Sequence, residues 1–90
     1  MLTKPLIFDG KELVINYSTS AVGGVQVELQ GADGKALPGF GLEDCPVIYG
    51  DEIERVVRWS SGSDVSALAG KPIRLRFELT DGDLYSIRFR

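Results

Sequence analysis

Ninety residues, 43% hydrophobic and 26% charged, describe one globular domain and exclude a disordered or collagen-like chain. A net charge of −3 suits no polyanion, and no apolar run approaches the roughly 20 residues that cross a bilayer, so neither nucleic acid nor membrane is an expected partner. The lack of any histidine removes the commonest general base and metal ligand together, which weighs against an independent enzyme. Pro and Gly then interrupt the chain too often for a helix of ordinary length. The intervals are rich in Val, Ile, Leu, Phe and Tyr, which gives strands at 4–8, 11–18, 24–30, 36–42, 52–59, 72–80 and 84–89. Asp33-Gly34 marks a turn between two of them, and Ser63 or Asp64 with Gly70 and Pro72 brackets one short helical turn near 64–69. The expectation is an all-β chain: a single antiparallel, jelly-roll-like β-sandwich over 1–90.

Two strands alternate cleanly. Val25, Val27 and Leu29 oppose Gln26, Glu28 and Gln30, and Ile73, Leu75, Phe77 and Leu79 oppose Arg74, Arg76, Glu78 and Thr80. A period of two with one apolar face describes a strand covered on one side. Leu13, Val14 and Ile15 are apolar on both faces, which places that strand more centrally. The last two strands read as a hairpin over Asp81-Gly82-Asp83. A three-residue loop sets Leu79 against Tyr85, Phe77 against Ile87 and Leu75 against Phe89. It also opposes Arg76 to Arg88 and Arg74 to Arg90, which calls for acidic neighbours. Glu28, Glu52, Glu54 and Glu78 are the candidates within the chain, and an acidic or carboxylated ligand is the external one.

Chemistry has few resources here. Carboxylates gather at Glu43-Asp44, at Asp51, Glu52 and Glu54, and at Asp81 and Asp83, but turns collect Asp because it hydrogen-bonds its own backbone. No regular calcium loop and no phosphate-binding glycine loop occurs, so no metal and no cofactor is expected. Cys45 is the only cysteine, which excludes an intrachain disulfide, and with no base available it reads as a buried structural thiol. By alternation Phe77, Tyr85 and Phe89 fall on the core face. Trp59 either fills the core or offers a flat face to a sugar ring, and Tyr49, in a loop flanked by Gly50, is the better exposed platform. The candidate ligand-binding residues are Tyr49, Asp51 and Trp59, with Arg74, Arg76 and Arg88 as a polar surface.

Six segments in order, 13–20 (LVINYSTS), 24–29 (GVQVEL), 32–40 (ADGKALPGF), 49–59 (YGDEIERVVRW), 63–77 (SDVSALAGKPIRLRF) and 83–89 (DLYSIRF), carry a resemblance that covers nearly the whole chain. Together they resemble the C-terminal β-sandwich region of bacterial proteins similar to glycoside hydrolase family 32. The resemblance implies an accessory module beside a five-bladed propeller that holds the catalytic carboxylates. In that family the acid/base Glu sits in a Glu-Cys-Pro motif of the propeller. Asp44-Cys45-Pro46 is similar to it only superficially, and no catalytic residue is carried over.

The expected function is a non-catalytic module of a carbohydrate-active protein that binds a polysaccharide or oligosaccharide, or supports a neighbouring glycoside hydrolase-like domain. The alternative is a purely structural docking or oligomerisation domain without a ligand. A sandwich parted from its propeller exposes an apolar patch, which implies a homodimer or a domain-swapped form. Residues 1–20 show no signal peptide, so export of a secreted or periplasmic parent would be encoded elsewhere.

Overall fold

Segment 13–31 carries no proline and many β-branched residues, and it runs as one strand, β1 (Leu13–Gly31). The computed structural model describes residues 2–60 and 62–90. In it β1 lies between β2 (Asp51–Val56) and β3 (Ile73–Phe89) in one antiparallel sheet, ordered β2-β1-β3. The chain is therefore all-β, with short 3-10 turns at Leu42–Asp44 and Ser66–Leu68. The second of these is the helical turn expected near 64–69. Ser61, assigned by the sequence to the polar loop after Trp59, lies outside the described residues.

The hairpin expected at Asp81-Gly82-Asp83 does not form. Those residues belong to β3, and the apolar runs on either side of them pair with β1 instead of with each other. Leu75, Phe77 and Leu79 lie opposite Leu29, Val27 and Val25, while Ile87 and Phe89 lie opposite Ile15 and Leu13. Every apolar residue keeps an apolar neighbour, and the arginine clash disappears: Arg76 lies opposite Glu28, and Arg74 opposite Gln30.

This long β1–β3 ribbon bends in its middle. Thr19 pairs with Gly82 and Gly24 with Thr80, so residues 20–23 bulge opposite Asp81, whose φ is 47°. The bend brings backbone so close that a Cβ on Gly23 would lie 2.3 Å from the Thr80 carbonyl oxygen. One on Gly82 would lie 2.8 Å from the Ser18 carbonyl oxygen. Glycine at both positions is what lets the two strands turn together.

Bending brings the inner faces of both halves of the ribbon into one core. Leu13, Ile15 and Tyr17 come from the first half and Val25, Val27, Leu29, Leu75 and Phe77 from the second, with Phe8, Val57, Trp59 and Val65 filling between them. Val14 is buried as well, on the opposite face, in keeping with the central place of β1.

Beyond β2, the edge of the second half of β1 has no neighbouring strand among the described residues, yet its backbone groups are satisfied one by one. Val25 exchanges both bonds with Ile48, and Leu29 donates to Phe40 and accepts from Leu37. Gly31 donates to Lys35 and accepts from Gly34, closing the turn expected at Asp33-Gly34, where Gly34 holds a φ of 85°. Val27 is served by side chains: its N–H donates to Cys45 Sγ at 3.5 Å, and its carbonyl accepts the Trp59 indole N–H at 2.9 Å. On the far side, Leu2, Thr3 and Leu6 line the edge of β3 from Ile73 to Arg76. The strands expected at 4–8 and 36–42 are thus edge-covering segments that make single bridges, Leu6 to Ile73 and Ala36 to Gln30.

Candidate functional site

The sequence-derived candidates divide between places instead of forming one site. Tyr49 and Asp51 sit together where the chain enters β2. Arg88 lies on the first half of the ribbon, opposite Val14, and Arg74 and Arg76 lie on the second. Trp59 is buried, with an edge-on contact to Phe40 at 5.3 Å between ring centres, so it presents no free face to a ligand. Its indole is spent on the edge of β1, which is the core alternative for this residue.

Tyr49 keeps 67% of its surface exposed, but its backbone is fixed. The fixing residue is Tyr17, fully buried in β1, whose hydroxyl contacts the Tyr49 carbonyl oxygen at 2.9 Å and Glu52 Oε2 at 3.0 Å. Thr19 holds the next residue through Gly50: its hydroxyl accepts the Gly50 N–H at 2.9 Å, and its own N–H donates to the Gly50 carbonyl at 2.7 Å. Burial pushes the Tyr17 phenol up to about 12, with help from the hydrogen bond to Glu52. Arg55, 2.9 Å from Glu52, and then Tyr17 hold the Glu52 carboxyl below its ordinary range. Asp51 makes no ion pair and no side-chain hydrogen bond among the described residues. The result is an exposed aromatic ring on a pinned loop beside an uncommitted carboxylate. The sequence reading missed Tyr17, although a buried tyrosine inside an apolar strand signals that its hydroxyl needs a partner.

The arginines find partners inside the chain. Arg76 pairs with Glu78 at 2.7 Å and lies 3.8 Å from Glu28; Arg88 pairs with Glu54 at 2.5 Å; Arg90 reaches Glu12 and Glu54 at 3.3 and 3.7 Å. Three of the four expected acidic neighbours, Glu28, Glu54 and Glu78, therefore serve this purpose, and Glu52 takes Arg55 instead. Arg74 differs, because its Nε is buried and lacks a hydrogen-bond partner among the described residues. Glu28 and Gln30 depart from the solvent-facing expectation. The loop after Gly41 lies over them, with the Leu42 N–H on Glu28 Oε1 at 3.4 Å and the Gln30 amide on Glu28 Oε2 at 2.7 Å.

Tyr85 is 62% exposed, against the core position that simple alternation gives it. Asn16 pairs with Ser86 but Tyr17 with Leu84, so Tyr85 is the extra residue of a bulge and the alternation breaks there. Cys45 is buried, which raises its thiol pKa, and its partners are the Val27 N–H and the Pro46 carbonyl. Asp44 accepts from the Gly41 N–H and the Ser60 hydroxyl, both at 3.3 Å, a loop-closing role.

Concavities are small. One groove of about 170 Å³ lies over the outer face of the first half, between Ile53, Glu54, Ser86 and Arg88, and another of about 150 Å³ lies between Val22, Val47 and Glu78. Both fall below the roughly 300 Å³ at which enclosed small-molecule sites begin, so a ligand would rest on the surface. Among the described residues no group of three or more Cys, Asp or Glu side chains is placed to hold a metal. No protein family matches the chain, and no curated protein or solved structure matches it.

Proposed function

We propose that the chain is a non-catalytic accessory module of a carbohydrate-active protein, a jelly-roll-like β-sandwich in its finer architecture, that meets a glycan through Tyr49 and Asp51. The observation that carries this reading is the exposed Tyr49 side chain on a loop whose backbone is pinned, two residues before an Asp51 carboxylate that has no partner among the described residues. An exposed ring on a fixed backbone gives a sugar an apolar face to stack on, and a free carboxylate accepts hydrogen bonds from its hydroxyls. The six segments that resemble the family 32 sandwich region support the same reading.

A second reading, a structural docking domain without a ligand, is favoured by the burial of Trp59 and by the mutual pairing of Arg76, Arg88 and their glutamates. Amide NMR titration of the chain with fructans, xylans and pectic oligosaccharides decides between them. Shifts confined to residues around Tyr49, and lost in Tyr49→Ala, are the expected result. No shift with any of these glycans overturns the binding role and leaves the docking one.

A further inference from the structure

Among the described residues, most of the sheet's edge is either covered or charged. The second half of β1 is covered by 34–48, and β3 from Ile73 to Arg76 by 2–6. The outer edge of β2 is open but carries Asp51, Glu52, Glu54 and Arg55, a net −2 over six residues (three acids less one base) that repels a second copy. The stretch of β3 over 83–89 is different. No strand or loop takes its outer edge among the described residues, and Asp83 and Arg88 leave it with no net charge. It contains no proline, and Leu84, Ile87 and Phe89 are only partly buried, with Tyr85 exposed. A neutral, β-prone, uncovered edge is a template for another strand.

We propose that this edge pairs with the same edge of a second copy, antiparallel about a two-fold axis through Ile87. The argument is self-complementarity. The Val57 N–H donates to the Leu13 carbonyl and Glu12 exchanges both bonds with Arg90, so alternation turns the backbone groups of Ile87 and Phe89 outward, away from β1. An axis at Ile87 then sets Ile87 against Ile87, and Phe89 of each copy against Leu84 and Tyr85 of the other. With Leu84 and Tyr85 counted as the two residues of the bulge, Asp83 of each copy meets Arg90 of the other on the outer face. Arg90 already meets Glu12 and Glu54, but its side chain keeps 45% of its surface exposed and has room for a further carboxylate. Moving the axis to Ser86, with the bulge counted in the same way, turns Phe89 to Gly82 and takes Asp83 from Arg90, so the Ile87 register keeps more of the apolar pairing. Two sheets of three strands become one of six, and a second copy covers the open stretch of β3.

Sedimentation equilibrium on the full chain from about 5 µM to about 1 mM tests this, with circular dichroism to show that each variant keeps its fold. A dimer is expected. Asp83→Arg opposes two like charges twice and should weaken it by about tenfold or more, while Asp83→Arg with Arg90→Asp should bring it back to within about threefold of the native value. Tyr85→Asp, at an exposed position, should weaken it as well. A chain monomeric throughout the range overturns the proposal. So does a dimer indifferent to Asp83→Arg and Tyr85→Asp, or one that the paired exchange fails to restore.

Discussion

The two halves of the bent ribbon are built from the same two strands, yet their edges are finished differently. In the first half β1 gains a true neighbour, β2, while β3 is left open. In the second half neither outer edge has a strand beside it among the described residues; loop backbone, a sulfur and an indole take the hydrogen bonds of β1, and segment 2–6 those of β3 from Ile73 to Arg76. A backbone group is indifferent to whether its partner belongs to a strand, provided it is not left buried and alone. Covering segments thus take the edge of β1 from Val25 to Gly31 and of β3 from Ile73 to Arg76, whereas the first half keeps the exposed Tyr49, Asp51 and Tyr85 beside an open stretch of β3.

Truncation should expose that contrast most strongly. Trp59→Ala removes a buried ring and the donor to the Val27 carbonyl, and should cost about 3–5 kcal/mol in urea unfolding. Trp59→Phe keeps a ring but orphans the same carbonyl, for about 1–3 kcal/mol. Ile53→Ala on β2, 77% exposed, should stay within about 0.5 kcal/mol. Comparable losses at Trp59 and Ile53 would erase the distinction between the covered edge of β1 and the outer surface of β2.

The bend joining the halves comes next. Gly23→Ala places a methyl against the Thr80 carbonyl and should cost about 1–3 kcal/mol, with a changed unfolding slope if the ribbon straightens. Gly62→Ala, with open space around it, isolates the price of a positive φ alone, about 1–2 kcal/mol.

Alkaline pH separates the halves by a different route. Cys45 belongs to the second half and its thiol pKa is raised by burial, so its contribution is complete below the ordinary thiol value of about 8.5 and is lost as pH rises through the higher folded value. Tyr17 belongs to the first, and its contribution is complete below about 10 and lost as pH rises through about 12. Thermal stability should therefore begin to decline as pH rises above about 8.5 and decline further above about 10, with Cys45→Ala delaying the onset and Tyr17→Phe removing the later contribution. Glu52 works in the opposite sense. Its lowered pKa stabilises above about 4.3 and ceases to do so as pH falls through the folded value, a small effect at an exposed group.

Much of this was legible in the residues. Strand-forming segments, the Asp33-Gly34 turn, the central place of Leu13 to Ile15 and the structural character of Cys45 all follow from local pattern. The pairing did not, because alternation records which face a residue takes and says nothing of which strand lies beside it. Asp81-Gly82-Asp83 has hairpin composition, but a kink with Asp81 at positive φ uses the same residues. Bulges hid the rest: one displaces Tyr85 to the surface, and no pattern of period two can announce where an extra residue falls. Of the candidate site, Tyr49 and Asp51 were legible as an aromatic and a carboxylate beside a glycine, whereas their anchor on Tyr17 depends on a pairing 32 residues away.

The smallest expected effects concern the ion pairs, and they test whether the outer faces of the two halves differ as their edges do. Arg88 and Glu54 are each more than half exposed, so Arg88→Ala should cost well under about 1 kcal/mol and the difference should vanish in high salt. Arg76 pairs with the similarly exposed Glu78, but it also faces Glu28, whose side chain retains 11% of its surface under the loop after Gly41. Removing Arg76 leaves that carboxylate with only the Gln30 amide and the Leu42 N–H, so Arg76→Ala should cost more than Arg88→Ala and keep part of that cost in salt. The reverse order would place the sheltered electrostatics in the first half, and its outer groove, not the Tyr49 loop, would become the surface to probe for a ligand.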